Sequence, residues 1–257
     1  MIKRLFCLLM IALPLMASAI EVVVDGIKYT LDETKMTAEA AGLEDSTITD
    51  LVIPASIKVE EKEYQVQSIG YMAFHMSHIK SLSLPEGLKS IGTGAFAVIY
   101  GIEEVKIPNS VETIGPVAFD GCIYVKTVVI GEGVKTIGES AFSGMGRLEK
   151  MYIYARQIPV TELRTGDMIE ETGWNSMILY VPNDLVEEYR QSELPCWSEV
   201  RDKNILPLNS TEIVRPSYRE IRSDVRYYLD GRRLKSPQKG INIIRQSDGT
   251  TKKVIVK

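Results

Sequence analysis

VKIPNSVETIGPVAF, residues 105–119, recurs with unchanged spacing on either side, as LSLPEGLKSIGTGAF at 82–96 and VVIGEGVKTIGESAF at 128–142. The Ile-Gly pair stands at Ile69, Ile91, Ile114 and Ile137. Each Ile is followed five residues on by Phe74, Phe96, Phe119 or Phe142, and each Phe is preceded by Ala73, Ala95, Ala118 or Ala141. Leu84, Ile107 and Ile130 lie seven residues before the last three Ile, with Pro85, Pro108 and Gly131 after them, so the shared pattern is (L/V)x(L/I)PxxVxxIGxxAF with a period of 22 to 23 residues. A fixed period of this length is the signature of a repeat architecture, and it governs the reading of everything around it.

Within one unit, alternating apolar residues such as Leu82 and Leu84 make a short strand with one face inward, and Pro or Gly ends it. Leu88 and Ile91 turn inward again, the glycine is expected to let the chain bend, and Ala-Phe fills the centre. A lone unit cannot stand. About five buried apolar side chains supply on the order of 10 kcal/mol, whereas ordering the backbone costs roughly 1–2 kcal/mol for every residue. The units must therefore stack as coils of a β-rich solenoid, each covering its neighbour's apolar face. Lys89, Glu112 and Lys135 then occupy one column, about 5 Å apart, and the expectation is an ion-pair ladder on a solvated face.

These units resemble the BspA-type leucine-rich repeat of bacterial surface and secreted proteins, and the resemblance extends over residues 22 to about 208. GIKYTLD at 26–32 and LVIPASIKVEEKEYQVQSIGYMAF at 51–74 are similar to the family's opening segment. From Ile53 to Ile69 is 16 residues, against 7 from Leu84 to Ile91, which leaves a 9-residue insert read as a hairpin in the first coil. After Phe142 the pattern weakens: MYIYARQIP at 151–159 keeps a strand, 160–176 departs, and LYVPNDLVEEYRQSELPCWSEVRDKNILPL at 179–208 is similar to a closing coil and cap. The resemblance implies a secreted or cell-surface protein that binds proteins or extracellular matrix and host-surface components, without catalysis. A structural envelope component lacking a dedicated ligand and a carbohydrate-active accessory protein stay open as alternatives.

Outside the repeats the chain has two further parts. Lys3 and Arg4, an apolar run from Leu5 to Met16, and the triplet Ala17, Ser18, Ala19 have the layout of a secretory signal peptide over residues 1–19. The run is 12 residues long and contains Pro14, short of the roughly 20 residues of a membrane-spanning helix, so no stable membrane span is expected. At the other end, a polar linker at 209–224 precedes a module at 225–257 in which Asp230-Gly231 and Asp248-Gly249 are turn signals between short antiparallel strands. This module resembles the short C-terminal sorting domain of type IX secretion, with Asn242 where an aromatic residue is usual, which implies sorting or envelope attachment. Charge divides in the same way. Residues 215–257 hold 12 Lys or Arg against 4 Asp or Glu, net +8, and residues 20–214 hold 16 against 30, net −14. An acidic body argues against an extended nucleic-acid surface.

A search for chemistry yields little. His75 and His78 lack carboxylate or Cys companions, so neither a metal nor a cofactor is expected. Cys122 falls three residues after Phe119, in a column with Ser77, Ile99 and Met145, and is read as a small core hydrophobe rather than a nucleophile. Beyond the leader's Cys7 the chain retains Cys122 and Cys196, too few for a disulfide scaffold, and their pairing is open. No nucleophile elbow, phosphate-binding loop or dinucleotide fingerprint is present. The candidate contact positions are those flanking the inward residues of each strand: Ser81, Ser83, Glu104, Lys106, Thr127, Val129, Lys150 and Tyr152. That set is mostly small and polar, which favours weak or multivalent contact over one tight site.

Overall fold

The computed structural model describes residues 20–161, 177–192, 204–208, 225–227, 233–234, 240–245 and 251–256. The chain divides into two compact units, Met1–Leu208 and Asn209–Lys257. The expected leader, the linker, Cys196 and the turns at 230–231 and 248–249 lie outside the described residues.

The first unit is a β-rich repeat solenoid. Its opening strands are β1 (Ile20–Val24), β2 (Ile27–Asp32), β3 (Thr37–Leu43), β4 (Asp50–Val52), β5 (Ser56–Val59) and β6 (Lys62–Ile69). β1, β2 and β3 run as an antiparallel meander, and β5 and β6 form the inserted hairpin. From there each coil contributes two strands. The longer ones are β7 (Ser81–Ser83), β9 (Glu104–Ile107), β11 (Thr127–Ile130) and β13 (Lys150–Ile153). The shorter ones are β8 (Ser90–Ile91), β10 (Thr113–Ile114), β12 (Thr136–Ile137) and β14 (Val160–Thr161). The closing part adds β15 (Ile178–Val181), the five-residue helix α1 (Val186–Arg190) and β16 (Ile205–Pro207).

Two parallel ladders follow. β9, β11, β13, β15 and β16 form one sheet, and β6, β8, β10, β12 and β14 continue the opening meander into a nine-stranded one. The register is the sequence period itself: Glu104 pairs with Thr127 and Thr127 with Lys150, and Ile91 pairs with Ile114 and Ile114 with Ile137. Between the ladders lies the core. Leu84, Ile107, Ile130, Ile153 and Val181 make one column, and Leu88, Val111 and Val134 another. The four phenylalanines stack through the centre at 5.3, 5.2 and 5.6 Å between ring centroids, with planes within 5–14° of parallel. Coils rise about 4.8 Å apart, so rings repeating at that rise sit slightly offset, which is the favoured aromatic arrangement.

The side of the coil carrying Ala-Phe is a ladder of turns. Met72, Gly94, Val117 and Ser140, three residues after each Ile, have left-handed backbone, as do Met76, Val98, Gly121 and Gly144, seven residues after it. At these positions and at the intervening Phe, the first three coils donate N–H to carbonyls of the next coil over 2.7–3.0 Å, for example Val117 to Glu139, Phe119 to Ala141 and Gly121 to Ser143. Alternate amides close turns within their own coil, as Asp120 does to Val117 and Cys122 to Phe119. On the strand side the direction reverses: Lys89, Glu112 and Lys135 each donate to the preceding coil. Val98 at φ 60° and Val117 at φ 48° hold this geometry without glycine, at a strain of roughly 1–3 kcal/mol each.

The glycines after each Ile prove to have another function than bending the chain. Gly70, Gly92, Gly115 and Gly138 are not left-handed. What they supply is space. A Cβ on Gly115 would sit 2.7 Å from the amide nitrogen of Thr93, and one on Gly138 would sit 2.2 Å from the nitrogen of Pro116. The expected charge ladder is present at the edge of the same coils: Glu112, half-buried, lies 3.7 Å from Lys89 and 2.6 Å from Lys135, both exposed. The two lysines hold its carboxyl below the usual carboxylate range, with the Lys135 hydrogen bond as the main cause.

The second unit contains β17 (Val225–Tyr227), β18 (Arg233–Leu234), β19 (Gly240–Arg245) and β20 (Thr251–Val256), an antiparallel sheet in the order β18-β17-β19-β20. Its β17–β18 and β19–β20 pairs flank the two Asp-Gly sequences.

Two substitutions test the coil geometry. Phe119→Ala should cost about 3–5 kcal/mol by cavity formation, lowering the melting temperature by roughly 6–20 °C. Gly138→Ala should also destabilise, although Gly→Ala at an unhindered site stabilises by about 0.4–1 kcal/mol through the unfolded chain. Thermal melting that finds Phe119→Ala neutral, or Gly138→Ala stabilising, contradicts this register of coil upon coil.

Candidate binding surface

The longer strands β7, β9, β11 and β13 carry the eight residues picked from the sequence, and the structure separates them into two groups. Ser81 and Glu104 are exposed, and Ser83, Lys106, Thr127 and Lys150 are half-buried. Several of these satisfy each other or a neighbour: the Ser81 hydroxyl donates to Asp50 Oδ1 at 2.5 Å, and Lys106 Nζ donates to Glu104 Oε2 at 2.7 Å.

Val129 and Tyr152 are a correction to the expected set. They do alternate with the core residues Val128 and Met151, which places them on the outer face. Yet Val129 is 0% and Tyr152 4% exposed, so neither presents side-chain area to a partner. Their column runs Lys106, Val129, Tyr152, Tyr180, and the last two stack at 4.7 Å with planes 8° apart. Alternation assigns a residue to a face, and that face changes along the stack from polar to aromatic and buried.

A group of exposed apolar residues lies at the turns that follow Phe74, Phe96 and Phe119. Met76 is 63% exposed, Tyr100 57%, Ile123 39% and Tyr124 37%. Tyr100 and Ile123 stand four residues after Phe96 and Phe119, in one column on adjacent coils. Tyr124 and Arg147 stand five residues after Phe119 and Phe142 in the next column, and the Arg147 guanidinium lies 4.6 Å above the Tyr124 ring. The fold explains why these side chains point outward. The preceding left-handed residues Val98, Gly121 and Gly144 reverse the chain, and Ile99, Cys122 and Met145 after them plug the core, so the next residues are directed away from it. The result is a ridge of Met, Tyr, Ile and Arg along one corner of the solenoid. Tyr and Arg are residue types concentrated at the energetic centres of protein interfaces. The signal is present in the sequence, in the columns after each Phe, but residue types there vary so much from coil to coil that they suggest only a surface turn.

The chemistry-bearing residues behave as packing or surface groups. Cys122 is a free, buried thiol whose Sγ lies 3.2 Å from the Phe96 carbonyl oxygen, and burial pushes its pKa up to about 12. A thiol so placed is not a nucleophile at neutral pH. His75 is half-buried and His78 exposed. Among the described residues no group of three or more His, Cys, Asp or Glu has the arrangement to hold a metal ion. Among the same residues no helix is long and apolar enough to cross a membrane.

Comparison with known proteins agrees with this geometry. A family model described as a BspA type leucine rich repeat region matches residues 44–162 in six copies. Among solved structures, the chain is similar to a leucine-rich repeat protein from Bacteroides capillosus ATCC 29799, at 22% identity over 63% of this chain and 99% of that one, with a TM-score of 0.40. It is similar to the pneumococcal vaccine antigen PcpA at 18% identity, over 64% of this chain and 50% of that one, with a TM-score of 0.47. A third likeness is to a leucine rich cell surface protein from Faecalibacterium prausnitzii A2-165, at 16% identity over 91% and 60% of the two chains, with a TM-score of 0.34. No curated protein matches the chain.

Proposed function

We propose that this leucine-rich-repeat solenoid is a secreted or cell-surface binding protein that contacts other proteins, of extracellular matrix or host surface, through the ridge of Met76, Tyr100, Ile123, Tyr124 and Arg147. The observation that carries the reading is the exposure of Tyr100 and Tyr124 on adjacent coils, with a guanidinium stacked on the second. A ring held by a rigid coil loses little conformational freedom on binding, and two such rings beside an Arg offer apolar area together with hydroxyl and guanidinium donors. The polar strand face, with Ser81, Ser83, Glu104, Lys106, Thr127 and Lys150, then serves as a rim whose charges act on specificity and rate of encounter more than on affinity. The reading assigns no catalytic step and no cofactor to the chain.

Two modules outside the solenoid supply the address in this reading. Residues 1–19 direct export, and the basic residues 225–257 mediate sorting or attachment to the envelope. Supporting this is the change from net −14 over residues 20–214 to net +8 over 215–257.

Binding is tested by screening the purified protein against matrix proteins and glycans, then repeating the positive interactions with Tyr100→Ala/Tyr124→Ala. Loss of at least 2 kcal/mol, about thirtyfold in affinity, is expected if the two rings are central, with the coil fold retained because neither ring belongs to the core. Full binding by the double variant contradicts the ridge, and no binding to any protein points instead to a structural envelope component. The address is tested by fractionating cells that express the chain with and without residues 215–257. The truncated protein should leave the cell surface, and an unaltered location contradicts the attachment reading.

A further inference from the structure

The nine-stranded sheet has one edge built very differently from its other strands. β1, Ile20–Val24, reads IEVVV and pairs among the described residues only with β2, so its outer row of backbone N–H and C=O groups faces away from the sheet. Sheet edges in soluble proteins are blunted by lysine, proline, a bulge or a covering loop, because an open edge is a template for another strand. β1 has no lysine or proline and pairs with β2 without a register shift, from Ile20 opposite Leu31 to Val24 opposite Ile27. It also exposes Ile20 at 38% and Val23 at 54%. Four of its five residues are β-branched, so the strand is strongly disposed to extend a sheet.

We propose that β1 is a self-association edge, pairing antiparallel with β1 of a second copy of this chain about a two-fold axis through Val22. The charge pattern of the strand selects both the partner and this register. Centred on Val22, the pairing sets Ile20 against the partner's Val24 and Glu21 against the partner's Val23, so no like charges meet. Centred one residue later it sets Glu21 against the partner's Asp25, and like charges directly opposite are destabilising. The two-fold arrangement keeps faces consistent as well. Val22 and Val24 pack against the core from the inner face, and the exposed Val23 and Glu21 share the outer one. Isologous pairing of this kind closes on itself and gives a dimer rather than a fibre. Five residues span about 17 Å, well below the extent of a standard interface, so the dimer is weak and forms at high local concentration, as on a crowded surface. A dimer there also doubles whatever site the solenoid presents.

The experiment is sedimentation velocity of the purified protein over a concentration series at low salt, with Val23→Glu and the double variant Glu21→Lys/Val23→Glu alongside. Both positions are exposed, so folding is retained, and circular dichroism checks it. The proposal predicts a concentration-dependent dimer. Val23→Glu, which sets two pairs of glutamates against each other, should raise its Kd by roughly 2- to 30-fold. The double variant, which turns each pair into Lys against Glu, should recover or exceed the original affinity. A monomer at every concentration overturns the proposal and leaves the edge to a foreign strand. A dimer unaffected by Val23→Glu, or weakened by it and not recovered by the double variant, overturns it also.

Discussion

One spacing governs this molecule: each coil lies on the next within backbone hydrogen-bond reach on both of its sides. On the strand side the amides of Lys89, Glu112 and Lys135 donate to the coil before, and on the Phe side those of Gly94, Phe96, Val117 and Phe119 donate to the coil after, so the interior coils are held in both directions. Most other features follow. Glycine is required at Gly92, Gly115 and Gly138 because a Cβ would enter the preceding coil's backbone. The Phe rings must stack because residues in one column repeat at the rise between coils. Left-handed residues recur at two fixed positions, three and seven residues after each Ile, and in the first three coils their amides, with that of the Phe between them, donate to the following coil. Burying such a coil alone would leave these amides and carbonyls without partners, at a cost comparable to that of a lost hydrogen bond for each.

The architecture was legible in the sequence because a period is a global signal. Four Ile-Gly pairs with Phe five residues on fix the strand register, the identity of the core columns and the place of Cys122 among Ile99 and Met145, and the structure has them so. The Lys89, Glu112, Lys135 ladder was legible for the same reason. What escaped were features set by distance between backbones rather than by residue type. Val98 and Val117 stand in left-handed positions that other coils give to Gly121 and Gly94, and nothing in a valine announces this. A glycine after each Ile suggests flexibility when only the sequence is in view, whereas at Gly92, Gly115 and Gly138 the preceding coil's backbone leaves no room for a side chain.

The candidate surface was only half legible, and the reason is physical. Strand alternation says correctly that Val129 and Tyr152 face outward, but burial depends on what else lies against that face, and both are covered. The converse holds at the corner. Tyr100, Ile123 and Tyr124 follow core-plugging residues by one or two positions, and in a short turn that step is enough to move a side chain from the interior to the surface. These exposed groups therefore occupy neighbouring columns at one corner of successive coils.

Amide hydrogen exchange of the native protein reads the two-directional coil contact residue by residue. Val117, Phe119 and Gly121 on the turn side and Glu112 and Gly115 on the strand side all donate to a neighbouring coil. The account predicts that these five amides exchange together, as slowly as global unfolding allows, because none can open without separating coils. Fast exchange on the turn side, with protection confined to the strand-side amides, would contradict it and show that only one face of the stack is bonded from coil to coil.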